Sequence, residues 1–255
     1  MNALTGGPGF MFFNTTYQSW FDWVVDRWWP RKPDPRYGYM EDDEWLGATV
    51  ASKLPWGNNT TGSGNAINTA PLSNSAGEII LECTAAGQTA NIRNVLANIL
   101  VGGADHYMEA IIRVPTLATA LEDFSIGWGL QDNAAYDANT LCTDGVWGTL
   151  NRAINGTKMV MNTASNSSRT ATNSTVTDFT AATNVRVGIY INAAASATFY
   201  VNGVSQGSVV SNLPSGAGRY TGFQIKLDKH AGSVASQVVI EHVILYGYFT
   251  TRRAS

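Results

Sequence analysis

Residues 184–210, NVRVGIYINAAASATFYVNGVSQGSVV, constrain this chain more than any other stretch. In NVRVGIYIN the residues Val185, Val187, Ile189 and Ile191 fall on alternate positions and share one face. That is the pattern of a half-buried antiparallel strand. From Ser196 a second alternating run reaches Val201, meets Asn202-Gly203 and returns to Val210. Asn-Gly between alternating apolar runs predicts a tight hairpin, because both residues can take positive φ. A chain with such a segment builds antiparallel sheet.

The same grammar continues on both sides. EIILECTA (78–85), NILVGG (98–103), HYMEAIIRVP (106–115), FSIGWGLQD (124–132), GVWGTLN (145–151) and TKMVMNTA (157–164) precede it, and RYTGFQIKLDK (219–229) and SQVVIEHVILYGYF (236–249) follow. Ten or more short strands at regular spacing, with no helical pattern between them, predict a two-sheet sandwich or jelly roll. Composition agrees: only 14% of the 255 residues are charged, and glycine occurs 25 times. Residues 54–76 and 162–183, rich in Asn, Ser, Thr and Gly, read as long surface loops. The last strand is expected to lie beside Trp45–Val50 as an edge neighbour. Its alternation puts Val239, Glu241, Val243 and Leu245 on one face and Val238, Ile240, His242, Ile244 and Tyr246 on the other.

The first 36 residues are different in kind. Five of the eight tryptophans fall before residue 46. Tyr17, Phe21, Val24 and Trp28 follow helical spacing, flanked by Trp20 and Val25, and Pro30 stops the pattern. The proline-rich stretch 30–36 then forms a stiff connector. This division gives an N-terminal aromatic arm, 1–36, and a sandwich domain, 37–255. The arm either folds back on its own sheet or docks on a partner. Its aromatic and apolar residues, Tyr17, Trp20, Phe21, Val24, Trp28 and Trp29, suit a partner-binding role, since Trp and Tyr are favoured contact residues. The opening MNALTGGPGFMFF lacks the basic start and cleavage site of a signal peptide, so none is expected.

Several elements, taken in order, carry a family resemblance. They are EDDEWLG (41–47), RVPTL (113–117), GWGLQD (127–132), DGVWG (144–148), FYVNG (199–203) and NLPSGAGR (212–219), followed by a lysine-bearing strand and a final VVIEHV. The series resembles the concanavalin A-like jelly-roll domains of structural proteins in tailed bacteriophages and prophages. The resemblance implies an all-β fold of two stacked antiparallel sheets, with first and last strands adjacent. It further implies a non-enzymatic virion protein, assembled in the host bacterial cytoplasm. The role expected is capsid decoration, with the major capsid protein or another virion protein as partner and a homotrimer by analogy. A lectin-like module of a phage tail or fibre, binding glycan or receptor, is the alternative.

The chemistry legible in the residues is sparse. No E-x-D-x-x-E strand, the paired-carboxylate motif of sandwich glucanases, is present. The three histidines, His106, His230 and His242, have no metal-ligand spacing. Glu109 stands in a strand without an evident partner. Cofactors are not expected, with one exception: the segment 131–144 offers Asp132, Asp137 and Asp144 as hard oxygen donors for calcium. Trp56 and Tyr136 are the candidate sugar platforms, with Trp147 the weaker third. A net charge of −3 gives no basic field for nucleic acid, and no apolar run is long enough to span a membrane. Cys83 and Cys142 are expected as two buried thiols.

Overall fold

The computed structural model describes residues 38–43, 56–61, 66–68, 78–94, 99–132, 142–193, 195–216 and 219–249. All of them lie in the unit Pro33–Ser255. The strands are β1 (Gly38–Asp43), β2 (Trp56–Thr61), β3 (Ala66–Asn68), β4 (Ile79–Cys83), β5 (Thr89–Asn94) and β6 (Ile99–Leu100). They continue with β7 (Ala104–Arg113), β8 (Phe124–Gln131), β9 (Gly145–Asn151), β10 (Lys158–Ser165) and β11 (Ser168–Asp178). The last five are β12 (Asn184–Asn192), β13 (Ser196–Val201), β14 (Val204–Val209), β15 (Tyr220–Lys229) and β16 (Ser236–Phe249). One four-residue helix, α1 (Arg152–Asn155), is capped by the Asn151 side chain, which accepts from the Ala153 amide. Among the described residues no helix is long and apolar enough to cross a membrane.

Two antiparallel eight-stranded sheets result. The first runs β14-β13-β12-β7-β16-β4-β3, with β1 also paired to β16. The second runs β11-β10-β9-β8-β15-β5-β2, with β6 also paired to β15. Alternation decides which residues meet between the sheets. Val185, Val187, Ile189 and Ile191 of β12 pack into one core with Met108, Ala110 and Ile112 of β7 and with Phe223, Ile225 and Leu227 of β15. At ~25 cal/mol per Å² of apolar surface removed from water, this core is the main source of stability. The sandwich is therefore of the two-sheet jelly-roll class that the sequence predicts.

Four sequence expectations need correction. The stretch 162–183 is not a loop: β10 and β11 form a hairpin across it, turned by Asn166 and Ser167 at φ 52° and 67°. Its Thr-rich strands suit a pleated, half-buried surface as well as bulkier β-formers do. The stretch 54–76 likewise contains β2 and β3. The strand beside β16 is β1, six residues long and ending at Asp43, not Trp45–Val50, which lies outside the described residues. β16 itself is interior, hydrogen-bonded to β7 on one side and to β4 and β1 on the other.

The fourth correction concerns which way β16 faces. A register shift between Ile240 and His242 inserts one extra residue. A bulge of this kind exchanges the two faces beyond it. Val238 and Ile240 point into the core before it, and Val243 and Leu245 after it. His242, Ile244 and Tyr246 are therefore carried to the outer face. The hairpin at Asn202-Gly203 forms as expected, with φ of 51° and 77°.

Candidate functional site

The outer face of the first sheet gathers most of the chemistry that the described residues leave near solvent. On β7 the residues Asp105, Tyr107, Glu109, Ile111 and Arg113 alternate away from the core. Register then sets their neighbours. Tyr190 of β12 stands opposite Tyr107, which stands opposite Tyr246 of β16. One row along, Tyr200 of β13 is opposite Gly188, which is opposite Glu109. Gly188 carries no side chain, so none intervenes between the Tyr200 ring and the Glu109 carboxylate on that row. Rows on adjacent strands lie ~4.8 Å apart, close enough for these side chains to act as one surface. Tyr190 and Tyr200 are half-buried and Tyr248 is exposed, whereas Tyr107 and Tyr246 are buried.

Glu109 is the electrostatic centre of this face. It is 2% exposed. Tyr107 donates its hydroxyl to Glu109 Oε2, and Arg186 Nε lies 3.2 Å from Oε1. That second oxygen receives no hydrogen bond of acceptable geometry, so Arg186 supplies charge but not a well-aimed proton. Burial raises the Glu109 pKa, and it outweighs the opposing pull of Arg186, the Tyr107 hydroxyl and His242. Burial, aided by the Glu109 charge, also pushes the Tyr107 phenol well above its ordinary value. Farther along the face, Arg113 Nη2 binds Glu78 Oε1 at 2.8 Å, and Asn184 donates to Glu241 Oε2 at 2.8 Å. Toward the other end the Tyr190 hydroxyl donates to Asp105 at 3.4 Å. The arrangement offers ring faces, hydroxyls and carboxylates on a rigid floor.

The outer face of the second sheet is polar too, but closed. Lys226 and Asp228 form an ion pair at 3.1 Å with each side chain at most 4% exposed. Gln224 donates to Gln131, and Asn162 to Thr149 at 3.2 Å. Trp147 is fully buried there beneath the Arg169 guanidinium, 5.3 Å from its ring centroid, so it is no sugar platform. Ser125 Oγ lies 2.9 Å from His230 Nε2, but Ser125 has no exposed surface. A nucleophile needs access as well as a base.

The residues singled out by sequence are placed as follows. Asp132 accepts from the amides of Thr143 and Asp144, both at 3.1 Å, and Asp144 accepts from the Asn166 amide and from Arg219 at 2.6 Å. These two carboxylates hold the β8–β9 loop ends together. Burial leads the upward shift of the Asp132 pKa. Asp137 and Tyr136 lie outside the described residues, as does the arm with Tyr17, Trp20, Phe21, Val24, Trp28 and Trp29. Trp56 begins β2. Among the described residues no group of three or more His, Cys, Asp or Glu could hold a metal ion. Cys83 and Cys142 are free and buried. Trp128 is buried, and Gly148 across the strand pair leaves room for its ring.

The Glu109 face was not assembled from sequence, although a signal existed. Tyr107 and Glu109 share a face by their i, i+2 spacing, and Arg186 and Tyr190 occupy the outward positions of a strand whose inward face was read correctly. What sequence could not supply was the order that puts β12 next to β7.

This architecture defines the class: a two-sheet antiparallel jelly-roll β-sandwich. The family model described as SO2946-like, C-terminal domain, matches residues 77–241, more than half of the chain. The chain belongs to that family. No curated protein matches it by sequence. Among solved structures it is similar to the protein of unknown function SO2946 from Shewanella oneidensis MR-1, with a TM-score of 0.60 and 10% identity over 98% of this chain and 99% of that one. The carbohydrate recognition domain of Emp46p, metal-free form, matches with a TM-score of 0.55 and 10% identity, over 79% of this chain and 93% of that one. Its potassium-bound form matches at a TM-score of 0.54. A native glycosidic hydrolase matches with a TM-score of 0.55 and 14% identity, over 86% and 98%. Identities this low speak for the fold alone.

Proposed function

We propose that this protein is a glycan-binding module that uses the outer face of the first sheet. The observation that carries the reading is the half-exposed tyrosine set, Tyr190 and Tyr200, over the buried Tyr107–Glu109–Arg186 cluster. Sugar rings present both apolar C–H faces and hydroxyl edges. They are met by aromatic surfaces with polar groups fixed beside them. The Emp46p domain, a carbohydrate recognition domain on the same sandwich, supports the reading by analogy of fold. The test is a glycan array with the full chain, followed by calorimetry on the best ligand. Tyr190→Ala and Tyr200→Ala are expected to weaken binding about tenfold each, ~1.4 kcal/mol. An array without a hit, or variants that bind as the parent does, refutes it.

A second reading is favoured by a separate observation, the five tryptophans before residue 46. In it the sandwich is a virion decoration module held on a capsid by its aromatic arm, as a homotrimer in the virion. The two readings are compatible, because they rest on different residues. Trp20→Ala with Trp28→Ala should abolish saturable binding to bare capsids and leave the melting temperature unchanged. Undiminished capsid binding by that variant would refute an arm-held role.

A further inference from the structure

We infer that the glycan held by the outer face of the first sheet carries amino groups and no acidic groups. The inference rests on the glycan-binding reading and narrows it to a ligand class. The charge of the face is the first ground. The described outward carboxylates are Glu78, Glu82, Asp105, Glu109 and Glu241, against the guanidiniums of Arg113 and Arg186 and the imidazole of His242. Both guanidiniums are committed: Arg186 to Glu109 at 3.2 Å, and Arg113 to Glu78 at 2.8 Å and Glu241 at 3.9 Å. No described outward position of this sheet holds a lysine. A carboxylated or sulfated sugar would meet a field of its own sign and, among the described outward side chains, two guanidiniums already engaged in ion pairs.

The second ground is independent of net charge. Two carboxylate oxygens on this face are buried without a hydrogen-bond donor, Glu109 Oε1 and Glu78 Oε2. Glu109 is 2% exposed and Glu78 5%. Native structures rarely leave buried acceptors unserved. A ligand that brings N–H or O–H donors completes these groups, and an ammonium does so with a charge-assisted bond. Glu109 and Arg113, the partner of Glu78, are four residues apart on β7, ~13 Å at strand rise. The two acceptors therefore span an oligosaccharide, not a single ring.

The test is calorimetry on the full chain with three oligosaccharides of similar length. They are a glucosamine tetramer, its fully N-acetylated counterpart, and a hyaluronan tetramer. The expected order is amine tightest, N-acetyl about tenfold weaker, and uronate without measurable binding. Added salt should weaken only the first. Glu109→Gln and, separately, Glu78→Gln should each cut the amine preference, the ratio of the first affinity to the second, at least threefold. Two carboxamide variants are used so that a folding defect in one does not decide the matter, and thermal melts screen both. Uronate binding equal to or tighter than N-acetyl binding overturns the inference but leaves the glycan reading standing. An amine preference unchanged in both variants also overturns it, because general negative charge would then be the cause. Binding of none of the three, together with an empty array, removes the underlying reading itself.

Discussion

Acidification should destabilise this sandwich through one histidine, by an amount that can be worked out. His106 lies near the start of β7 on the side opposite Glu109, is 2% exposed, and has its ring Nε2 3.0 Å from the Leu100 carbonyl oxygen. A neutral imidazole donates there without needing charge. Burial lowers its pKa from 6.5 to about 4, against the smaller upward pull of the Leu100 and Val101 carbonyls. Between those values the unfolded chain binds a proton that the folded chain refuses. Stability is therefore full above about pH 6.5 and is lost as pH falls toward 4. From pH 7 to pH 5 the loss amounts to about 2 kcal/mol, and below the folded value it approaches ~3 kcal/mol. Urea unfolding of the parent and of His106→Gln at pH 7 and pH 5 isolates the contribution. Glutamine keeps an N–H donor but cannot titrate, and the carboxylates titrate alike in both proteins, so they cancel in the comparison. The parent should lose about 2 kcal/mol more than the variant over that interval. Equal losses, within ~0.5 kcal/mol, would refute the buried-neutral assignment.

Three further outcomes follow from the packing. Gly148→Ala places a methyl 2.6 Å from two ring atoms of Trp128; it should cost about 1–3 kcal/mol, read from thermal melts and from the Trp fluorescence of the folded state. Lys226→Met strands the Asp228 carboxylate in a closed site and should cost about 3–5 kcal/mol, whereas Lys226→Met with Asp228→Leu should recover most of that. A double variant as unstable as the single would show that the pair is not the reason. Burial pushes the Cys83 thiol up to about 12 and the Cys142 thiol higher still, so neither should react with a thiol reagent at pH 8 faster than the chain unfolds.

How much of this was legible beforehand depends on which residues carry the signal. β7, β8, β9, β12 and the β13–β14 hairpin announce themselves because bulky alternation, turn chemistry and outward polarity all agree. β10–β11 was half missed because Thr, Ser and Asn fit both strands and loops, and only the turn at Asn166-Ser167, two residues at positive φ, distinguishes them. The bulge in β16 left no trace, since VVIEHVILY is apolar at both parities and any register reads well. The candidate site suffered most. Its members come from strands far apart in sequence, Glu109 and Arg186 among them, and nothing local fixes that β12 lies against β7. Asp132 and Asp144 show a second use for a loop's carboxylates that the sequence does not reveal: Asp132 accepts from the Thr143 and Asp144 amides, and Asp144 accepts from the Asn166 amide and binds Arg219.

The two outer faces of the sandwich, compared, explain why the ligand is assigned to one and not the other. Both bury charge, which is costly wherever water is excluded. On the second sheet Lys226 has its counter-ion 3.1 Å away, and Trp147 is sealed under Arg169. A face closed in this way gives a ligand no ring to stack on. On the first sheet the charge is as deeply placed at Glu109, but Tyr190 and Tyr200 beside it stay half-exposed, and one carboxylate oxygen lacks a donor. Burial holds the Glu109 pKa up, so the folded face without ligand favours the protonated acid more than an ordinary surface carboxylate does. A bound donor, an ammonium most of all, would stabilise the carboxylate instead and release a proton. The stability that Glu109 loses as pH rises through its folded pKa is then recovered in the complex. Such a difference between free and bound states couples ligand binding to the protonation of Glu109.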